Sequence, residues 1–206
     1  MKLRTLCGVL AMAGLLQACV PLIAGGIAGG VASTADRRTY GEQLMDTEIE
    51  HKFNRGFPAA LEARTNASAT AYNRWLLISG QAIDEASKAA VETHARSLPN
   101  VREVYNELSI GYPSSFSERS NDAWLTSSVK TRIFTSKENI SGHHIKITTE
   151  SGTVYLMGLL TEEEAQLAVE LARGTAGVRK VVNLIEIVSP DFVAKRSLQT
   201  NPPPAQ

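Results

Sequence analysis

The chain repeats one pattern of hydrophobic and polar positions twice. Gly80 aligns with Gly158, and each follows a short apolar segment, LLIS in one case and VYLM in the other. An acidic, alanine-rich stretch comes next, and then a valine-rich stretch with one asparagine, at 101–110 and 178–187. Upstream, apolar residues recur at i, i+4 and i+8 in both copies, which places them on one face of a helix. These residues are Ile49, Phe53 and Phe57 in the first copy, and Leu125, Val129 and Ile133 in the second.

Within each copy the spacing of the apolar residues predicts, in order, a helix, two strands, a second helix and a third strand. In the second copy we expect a first helix from an N-cap at Asp122 to about Phe134, followed by strands around 145–147 and 153–157. A second helix should run from a capping box at Thr161 and Glu164 to about Gly174, and a last strand should cover 178–188. In the first copy the predicted helices are near 47–57 and 84–97, and the strands near 67–72, 75–79 and 101–110. The predicted fold class is α+β, with two tandem α-β-β-α-β modules. Each module should be a three-stranded mixed sheet with two helices on one face.

The N-terminus has the pattern of a targeting segment. Lys2 and Arg4 precede an apolar run over 6–16 that is too short to span a bilayer, and the run ends in LQAC at Cys19. This resembles a bacterial lipoprotein signal peptide over residues 1–18, which implies cleavage before Cys19 and acyl chains on that residue. Val20 follows the cysteine, which favours the outer membrane over retention in the inner membrane. The alternative is an ordinary secretory signal that is cut nearby.

The rest of the chain divides by composition. Residues 19–45 should form a flexible, glycine-rich tether, 46–111 the first module, 112–121 a polar linker, 122–188 the second module, and 189–206 a disordered tail that ends in NPPPAQ. Modules of about 65 residues bury only about 60% of their unfolded surface, so packing of one against the other is plausible. The sequence alone leaves that packing open.

Charge and motifs argue against nucleic-acid binding and catalysis. The chain has 21 basic and 21 acidic residues, and loss of Lys2 and Arg4 leaves 19 against 21, a net charge of −2. There is therefore no global electrostatic case for a nucleic acid. No metal-binding HExxH pattern, nucleophile elbow or phosphate-binding glycine loop is present. We expect no catalytic residue, no metal site, and no cofactor apart from the acyl chains on Cys19.

The residues now carry a family resemblance. Two α-β-β-α-β copies with Gly80 and Gly158 resemble BON domains, and the stretch SNDAWLTSSVKTRIFTS from Ser120 is the most specific match. With the lipoprotein signal in front, the chain is similar to the dual-BON outer-membrane lipoproteins. The resemblance implies a non-enzymatic protein that faces the periplasm and binds anionic phospholipid, phosphatidylglycerol, through the first helix of the second module. It also implies a role in envelope integrity near division sites and in outer-membrane protein assembly.

The exposed face of that helix supports a lipid site. The second copy has Trp124 where the first has Glu48, and Trp124 and Phe134 fall opposite the apolar stripe. Aromatic rings beside lysines suit the membrane interface, where rings lie at headgroup level and cations meet phosphates. The predicted lipid-binding residues are Trp124, Ser127, Lys130, Thr131, Phe134 and Lys137. The alternative is that Trp124 packs against the other module or the linker, where Phe116 and Tyr112 are candidates for contact.

Two functional classes remain. The first is a lipid-binding envelope module, and the second is a periplasmic protein-interaction adaptor for outer-membrane protein assembly or peptidoglycan-associated machinery. In both cases we expect a lipid-anchored monomer. Gly80 and Gly158 are interpreted as structural, because a glycine at a strand end usually supplies a positive φ or a close backbone approach.

Overall fold

The computed structural model describes residues 36–136 and 140–200. The first module contains α1 (Tyr40–Arg55), α2 (Ala59–Glu62), β1 (Thr65–Tyr72), β2 (Trp75–Ala82), α3 (Glu85–Arg96), β3 (Glu103–Asn106) and β4 (Ser109–Ile110). The second contains α4 (Phe116–Thr135), a 3-10 turn (Gly142–His144), β5 (Ile145–Glu150), β6 (Thr153–Leu160), α5 (Glu162–Arg173) and β7 (Lys180–Ile187), and α6 (Pro190–Thr200) follows it. The predictions for Cys19, the signal peptide and Lys137 lie outside the described residues.

Both modules have the predicted mixed sheet. The central strand pairs antiparallel with the strand before it, β1 with β2 and β5 with β6. It pairs in parallel with the strand after the helix, which is β7 in the second module and the two segments β3 and β4 in the first. The predicted α+β fold class is therefore confirmed. The last strand of the first module is interrupted at Glu107 and Leu108, whereas β7 is continuous.

The two sheets pack against each other, which the sequence left open. Alternate residues of each central strand face opposite sides of its sheet. Leu76 and Ile78 join the core under α1 and α3, whereas Leu77 between them joins a shared core with Tyr155 and Met157 of the second module. The order of layers is therefore helices, sheet, sheet, helices, and the helices of the two modules lie on the two outer sides.

Polar contacts surround the shared core. The cross-module contacts include Lys146 to Glu50 (2.7 Å), Arg102 to Glu186 (3.1 Å) and Gln81 to Glu150 (2.6 Å). The segment before α1 adds to them, because the buried Arg37 donates to both carboxylate oxygens of Glu164 (2.7 Å) and to the Leu159 carbonyl (2.8 Å). Residues 36–45, predicted as part of the flexible tether, are therefore folded. They join the two modules.

Two helices begin earlier than predicted. Thr39 and Glu42 form a capping box that starts α1, and Ser115 and Glu118 form one that starts α4. The predicted linker over 112–121 is thus wrong from residue 116 onward. Asp122 is also not an N-cap. It lies buried in the second turn of α4, and its carboxylate accepts bonds from the backbone N–H groups of Ser151 and Gly152.

The predicted disordered tail is wrong over residues 190–200, which form α6. Pro190 occupies the first turn, where the missing N–H costs nothing, and the Ser189 hydroxyl accepts from the Phe192 N–H at 3.2 Å. Phe192 packs against the shared core, and Arg196 pairs with Glu42 of α1. Phe192 and Arg196 thus connect this helix to the rest of the fold.

Gly80 and Gly158 both lie inside a strand, two residues before its end. Gly80 has a φ of +120°, and a Cβ there would collide with the Asn66 carbonyl oxygen. A Cβ at Gly158 would lie 2.7 Å from the His144 carbonyl oxygen. Close approach of the neighbouring strand therefore accounts for both glycines, with a positive φ at Gly80 alone.

Candidate membrane-binding site

The inner face of α4 fixes the helix to the second module. Leu125, Val129 and Ile133 are fully buried, as the i, i+4, i+8 spacing predicted. The Asp122 carboxylate holds the β5–β6 turn, and the Thr126 hydroxyl donates to Thr149 at 2.8 Å. The side chains on the opposite face of α4 therefore project from a rigid support.

The structure brings most of the predicted lipid-binding residues together on that outer face. Trp124 is 55% exposed and Phe134 is 41% exposed. Ser127, Lys130 and Thr131, which lie between them in the chain, are exposed as well. Two large apolar side chains therefore remain in water in the free protein, beside a cation and two hydroxyls.

The ring of Phe134 packs on the 3-10 turn that precedes β5. Its ring lies on Gly142, where a Cβ would collide with it, and its ring centroid is 4.9 Å from that of His143 in an edge-on arrangement. Lys130 places its Nζ 5.9 Å from the centroid of the same ring. The ring and the cation are thus positioned together, one helical turn apart.

Trp124 lies against its own module. A Cβ built at Gly177, in the turn between α5 and β7, would be 3.8 Å from Cζ3 of the indole. Phe116 and Tyr112 are 78% and 90% exposed, so neither buries itself against Trp124. The contact that the structure shows for Trp124 is therefore with its own module, and not with Phe116 or Tyr112 as the alternative expected.

Phe116 belongs to the same surface, and sequence reasoning missed it. On a helix of 3.6 residues per turn, Phe116, Trp124 and Phe134 fall within about 80° of one another over a length of about 27 Å. The residue was assigned to the linker because α4 was started too late. The signal that could have placed it is the Ser115–Glu118 capping box, which has the same spacing as the recognised box at Thr161 and Glu164.

The electrostatics of the two modules differ. In the first, Lys52 pairs with Glu48 at 2.6 Å, and Arg96 pairs with Glu92 at 2.9 Å. Among the described residues, no ion pair joins two side chains of the second module. The exposed cations of this module therefore have no carboxylate partner within 4.0 Å in the described ranges; they are Arg119, Lys130, Arg132, Arg173, Arg179 and Lys180.

The outer face of α4 presents groups that are suited to binding. Among the described residues, no group of three or more His, Cys, Asp or Glu side chains is placed to hold a metal ion. None of the helices over 36–136 and 140–200 is long and apolar enough to span a bilayer. What the outer face of α4 presents is aromatic surface, hydroxyls and uncompensated positive charge.

Comparisons with known proteins agree with the two-module organisation. The sequence profile of the BON domain matches residues 46–112 and 121–189. The chain is 32% identical over 173 residues to the outer membrane lipoprotein DolP of Haemophilus influenzae, covering 83% of this chain and 89% of that protein. It is 31% identical over 155 residues to a 21 kDa hemolysin of Actinobacillus pleuropneumoniae, covering 74% and 79%.

A solved structure of CdsD, a structural protein of the type III secretion system of Chlamydia trachomatis, is similar at 13% identity. It covers 78% of this chain and 99% of that one, with a TM-score of 0.30 that is too low to support any argument. The two matched domains and the similarity to DolP over most of both chains decide the assignment. The chain belongs to the BON-domain family, as a DolP-like protein with two BON domains in tandem.

Proposed function

We propose that this protein is a non-enzymatic outer-membrane lipoprotein, anchored through acyl chains on Cys19 and facing the periplasm. The LQAC sequence at Cys19 supports the anchor, and the similarity to the DolP lipoprotein supports the membrane. Several acyl chains hold a protein on a bilayer far more stably than one. Within that setting, the folded modules act next to a lipid surface.

The second module binds anionic phospholipid through α4. The observation that carries this proposal is the pairing of half-exposed Trp124 and Phe134 with Lys130, a cation that has no carboxylate partner among the described residues. Aromatic rings enter the headgroup region, and each cation near an anionic surface contributes about 1 kcal/mol. Phe116 extends the same contact along the helix.

The anchor and α4 act together. Because the anchor keeps the protein at the membrane, α4 meets lipid at a high effective concentration, and a weak site is enough to select a lipid patch. Anionic patches would then retain the protein and neutral ones would release it. This selection accounts for a role in envelope integrity at particular places, including division sites.

The direct test is co-sedimentation of residues 33–206, a compact unit with both modules, with lipid vesicles. We expect binding to vesicles that contain phosphatidylglycerol and not to neutral ones, and a loss of at least tenfold in affinity for Trp124→Glu. The matched control is Tyr40→Glu, which adds the same charge in place of an exposed aromatic residue on α1. A folded Trp124→Glu protein that binds like the wild type would contradict the proposal.

A second candidate function, an adaptor for another envelope protein, is favoured by one observation. Tyr40 and Leu44, one helical turn apart on α1, are 65% and 51% exposed, on the outer side of the first module. Because the helices of the two modules lie on opposite sides of the paired sheets, α4 on the membrane leaves this surface available to a periplasmic partner. Leu44→Glu should then weaken that association and leave vesicle binding unchanged.

A further inference from the structure

The outer edge of β7 has no neighbouring strand in the described part of the chain, since β7 pairs only with β6. Backbone groups of successive residues in a strand point to opposite sides. The Val188 N–H, directly after β7, donates inward to the Leu160 carbonyl oxygen at 2.8 Å, whereas the Ile185 N–H donates to the Asn183 side chain at 3.0 Å. The N–H groups of 181, 183, 185 and 187 therefore point outward, and those of 181, 183 and 187 have no partner among the described residues.

The corresponding edge of the first module is closed by its own side chains. The Val104 N–H donates to the Glu103 carboxylate at 3.2 Å. The Leu108 N–H donates to Asn106 Oδ1 at 3.4 Å, and Asn106 Nδ2 donates to the Lys88 carbonyl oxygen of α3 at 2.9 Å. Short or interrupted strands protect a sheet edge against pairing. In contrast, β7 runs without interruption over eight residues.

A groove lies beside the β7 edge, between this strand and α5. The side chains at 181, 183, 185 and 187 face α5, since Val181 and Ile185 belong to the core beneath the helices. Two shallow cavities of about 300 Å³ each follow the strand, one near its start and one toward its end. The apolar lining of the latter is Ala165, Val169 and Ile187. Alternate side chains of an added strand would enter this groove.

The charges along the groove change sign from one end to the other. Arg173, Arg179 and Lys180 lie where β7 begins, and they form no ion pair among the described residues. Glu162 and Glu170 line the cavity toward the other end, and they too form no ion pair in the described ranges. The groove is therefore complementary to an extended segment that is acidic at the first end, basic at the second and apolar between them.

We propose that the β7 edge binds an extended segment of a partner protein by strand addition. Backbone hydrogen bonds continue the sheet beyond β7, and the groove selects the alternate side chains. An acidic residue of the segment faces Arg173, and a basic residue faces Glu162. This site is separate from the lipid surface, because α4 packs on β5 at the opposite edge of the sheet.

The probe is a heptapeptide with blocked ends, Lys-Thr-Val-Thr-Val-Thr-Glu, which matches this charge order when it runs antiparallel to β7. It is added to residues 33–206, and amide hydrogen exchange is measured by residue. We expect exchange at 181, 183 and 187 to slow about tenfold or more, while 182, 184 and 186, which point toward β6, do not change. That alternation distinguishes an added strand from a contact made by side chains alone.

Two N-methylated peptides are the matched controls for the backbone contact. Methylation of both valines removes N–H groups that point at β7 and should weaken binding about tenfold or more. Methylation of two threonines places the same bulk on the side away from β7 and should leave the affinity unchanged. Equal losses for the two peptides would contradict strand addition.

Variants of the protein test the same contact. Asn183→Pro removes an outward N–H, at a position where an edge strand tolerates proline, and should weaken binding about tenfold. Arg173→Glu should weaken it about fivefold and should improve binding of a peptide with lysine in place of its glutamate. The control is Arg55→Glu, which changes an exposed cation in the last turn of α1 and should leave peptide binding unchanged. The charge exchange at Arg173 remains decisive if Asn183→Pro does not fold.

The outcomes separate this site from the lipid surface. A wild-type protein whose outward β7 amides gain no protection from the peptide would overturn the proposal. Self-association that Asn183→Pro abolishes, without any effect of the peptide, would also overturn it, because the occupant would then be a second copy of the chain. Vesicle binding through α4 should be the same with and without the peptide.

Discussion

The helices α1 and α4 occupy equivalent positions in the two modules, and they are alike inside and different outside. Both bury apolar stripes against their sheet, and both use a buried aspartate to hold the following turn between strands. Asp46 accepts from the N–H groups of Asn73 and Arg74 at 2.7 Å, as Asp122 does from those of Ser151 and Gly152. The shared interior sets the fold, and so a difference in function has to come from the outer faces.

On the outer faces, the cation Lys52 of α1 is neutralised within its helix, whereas Lys130 of α4 has no carboxylate partner among the described residues. Lys52 pairs with Glu48 one turn away, while the position of Glu48 is taken by Trp124 in α4. Lys130 instead lies near the Phe134 ring and meets no carboxylate among the described residues. The same scaffold thus places a paired lysine on the outer face of α1 and, on the outer face of α4, an unpaired lysine beside an aromatic ring, which suits an anionic interface.

The largest expected effect is on stability, and it concerns the two buried aspartates that hold equivalent turns in the two modules. Asp122→Ala removes the acceptor of two buried backbone N–H groups and should lower the free energy of unfolding by about 2–3 kcal/mol. Asp46→Ala should cost slightly more, about 2–4 kcal/mol, because it also removes one of the two carboxylate partners of Arg38, while Asp36 stays paired with it at 2.7 Å. Chemical denaturation measures both. The exposed Asp191→Ala is the control and should change stability by less than about 0.5 kcal/mol.

If alanine at Asp46 and Asp122 lowered the free energy of unfolding as little as it does at Asp191, the two helices would resemble each other in sequence without supporting the fold in the same way. A cost at one position and not at the other would also break the comparison, because the two turns would then depend on different supports.

The next effect concerns the outer faces. Lys130→Gln should weaken binding to phosphatidylglycerol vesicles about fivefold, since one uncompensated cation near the surface is lost. Lys52→Gln removes the same charge from α1, where Glu48 already neutralises it, and should leave vesicle affinity unchanged. Titration at low salt resolves the difference, because screening reduces both effects at high salt. Equal losses at the two positions would mean that net charge, and not the α4 surface, controls binding.

The smallest expected effect is on stability at acidic pH, and it concerns the Arg37–Glu164 ion pair between the modules. Burial raises the pKa of Glu164, but hydrogen bonds from Arg37 and the Thr161 N–H outweigh this and hold the pKa below its usual value of 4.5. Because the folded pKa is lowered, the stabilisation is present above pH 4.5 and is lost as the pH falls through the folded pKa. Glu164→Gln should therefore be less stable at neutral pH, with a shallower loss of stability below pH 4.5.

The control for that prediction is Glu163→Gln, which changes an exposed neighbour that has no contact with Arg37. It should keep the acid dependence of the wild type. A Glu164→Gln protein whose unfolding free energy follows the wild-type pH curve would show that the ion pair with Arg37 does not stabilise the joint.

Periodicity was enough to predict the fold class and the buried faces. The i, i+4, i+8 spacing identified Leu125, Val129 and Ile133 as core residues, and its register left Trp124 and Phe134 on the outside. Helix starts were harder to predict. The first turns of α1 and α4 contain no buried apolar residue, and the buried apolar stripe begins at Ile49 and Leu125, almost three turns after the caps Thr39 and Ser115. Phe57 shows the opposite error, since α1 ends at Arg55 and the ring packs on the core from outside the helix.

Contacts between distant segments were beyond the reach of sequence reasoning. The apolar residues that pair the two sheets, such as Leu77 and Met157, lie in runs that are apolar on both sides, so periodicity does not reveal what covers each face. The contact between α4 and the turn before β7 was missed for a similar reason. That turn contains Gly174 and Gly177, more than 40 residues away in the chain, and it lies close to Arg132 and Trp124.

The most direct test of the account is the fluorescence of Trp124 at a membrane. The only other tryptophan, Trp75, packs on Tyr105, and Trp75→Phe leaves Trp124 as the single indole in an otherwise folded chain. We predict that phosphatidylglycerol vesicles shift its emission to the blue, that bromine atoms near the top of the acyl chains quench it, and that added salt reverses both effects. Emission that stays unchanged on such vesicles would contradict the central claim that α4 is the surface that meets the lipid.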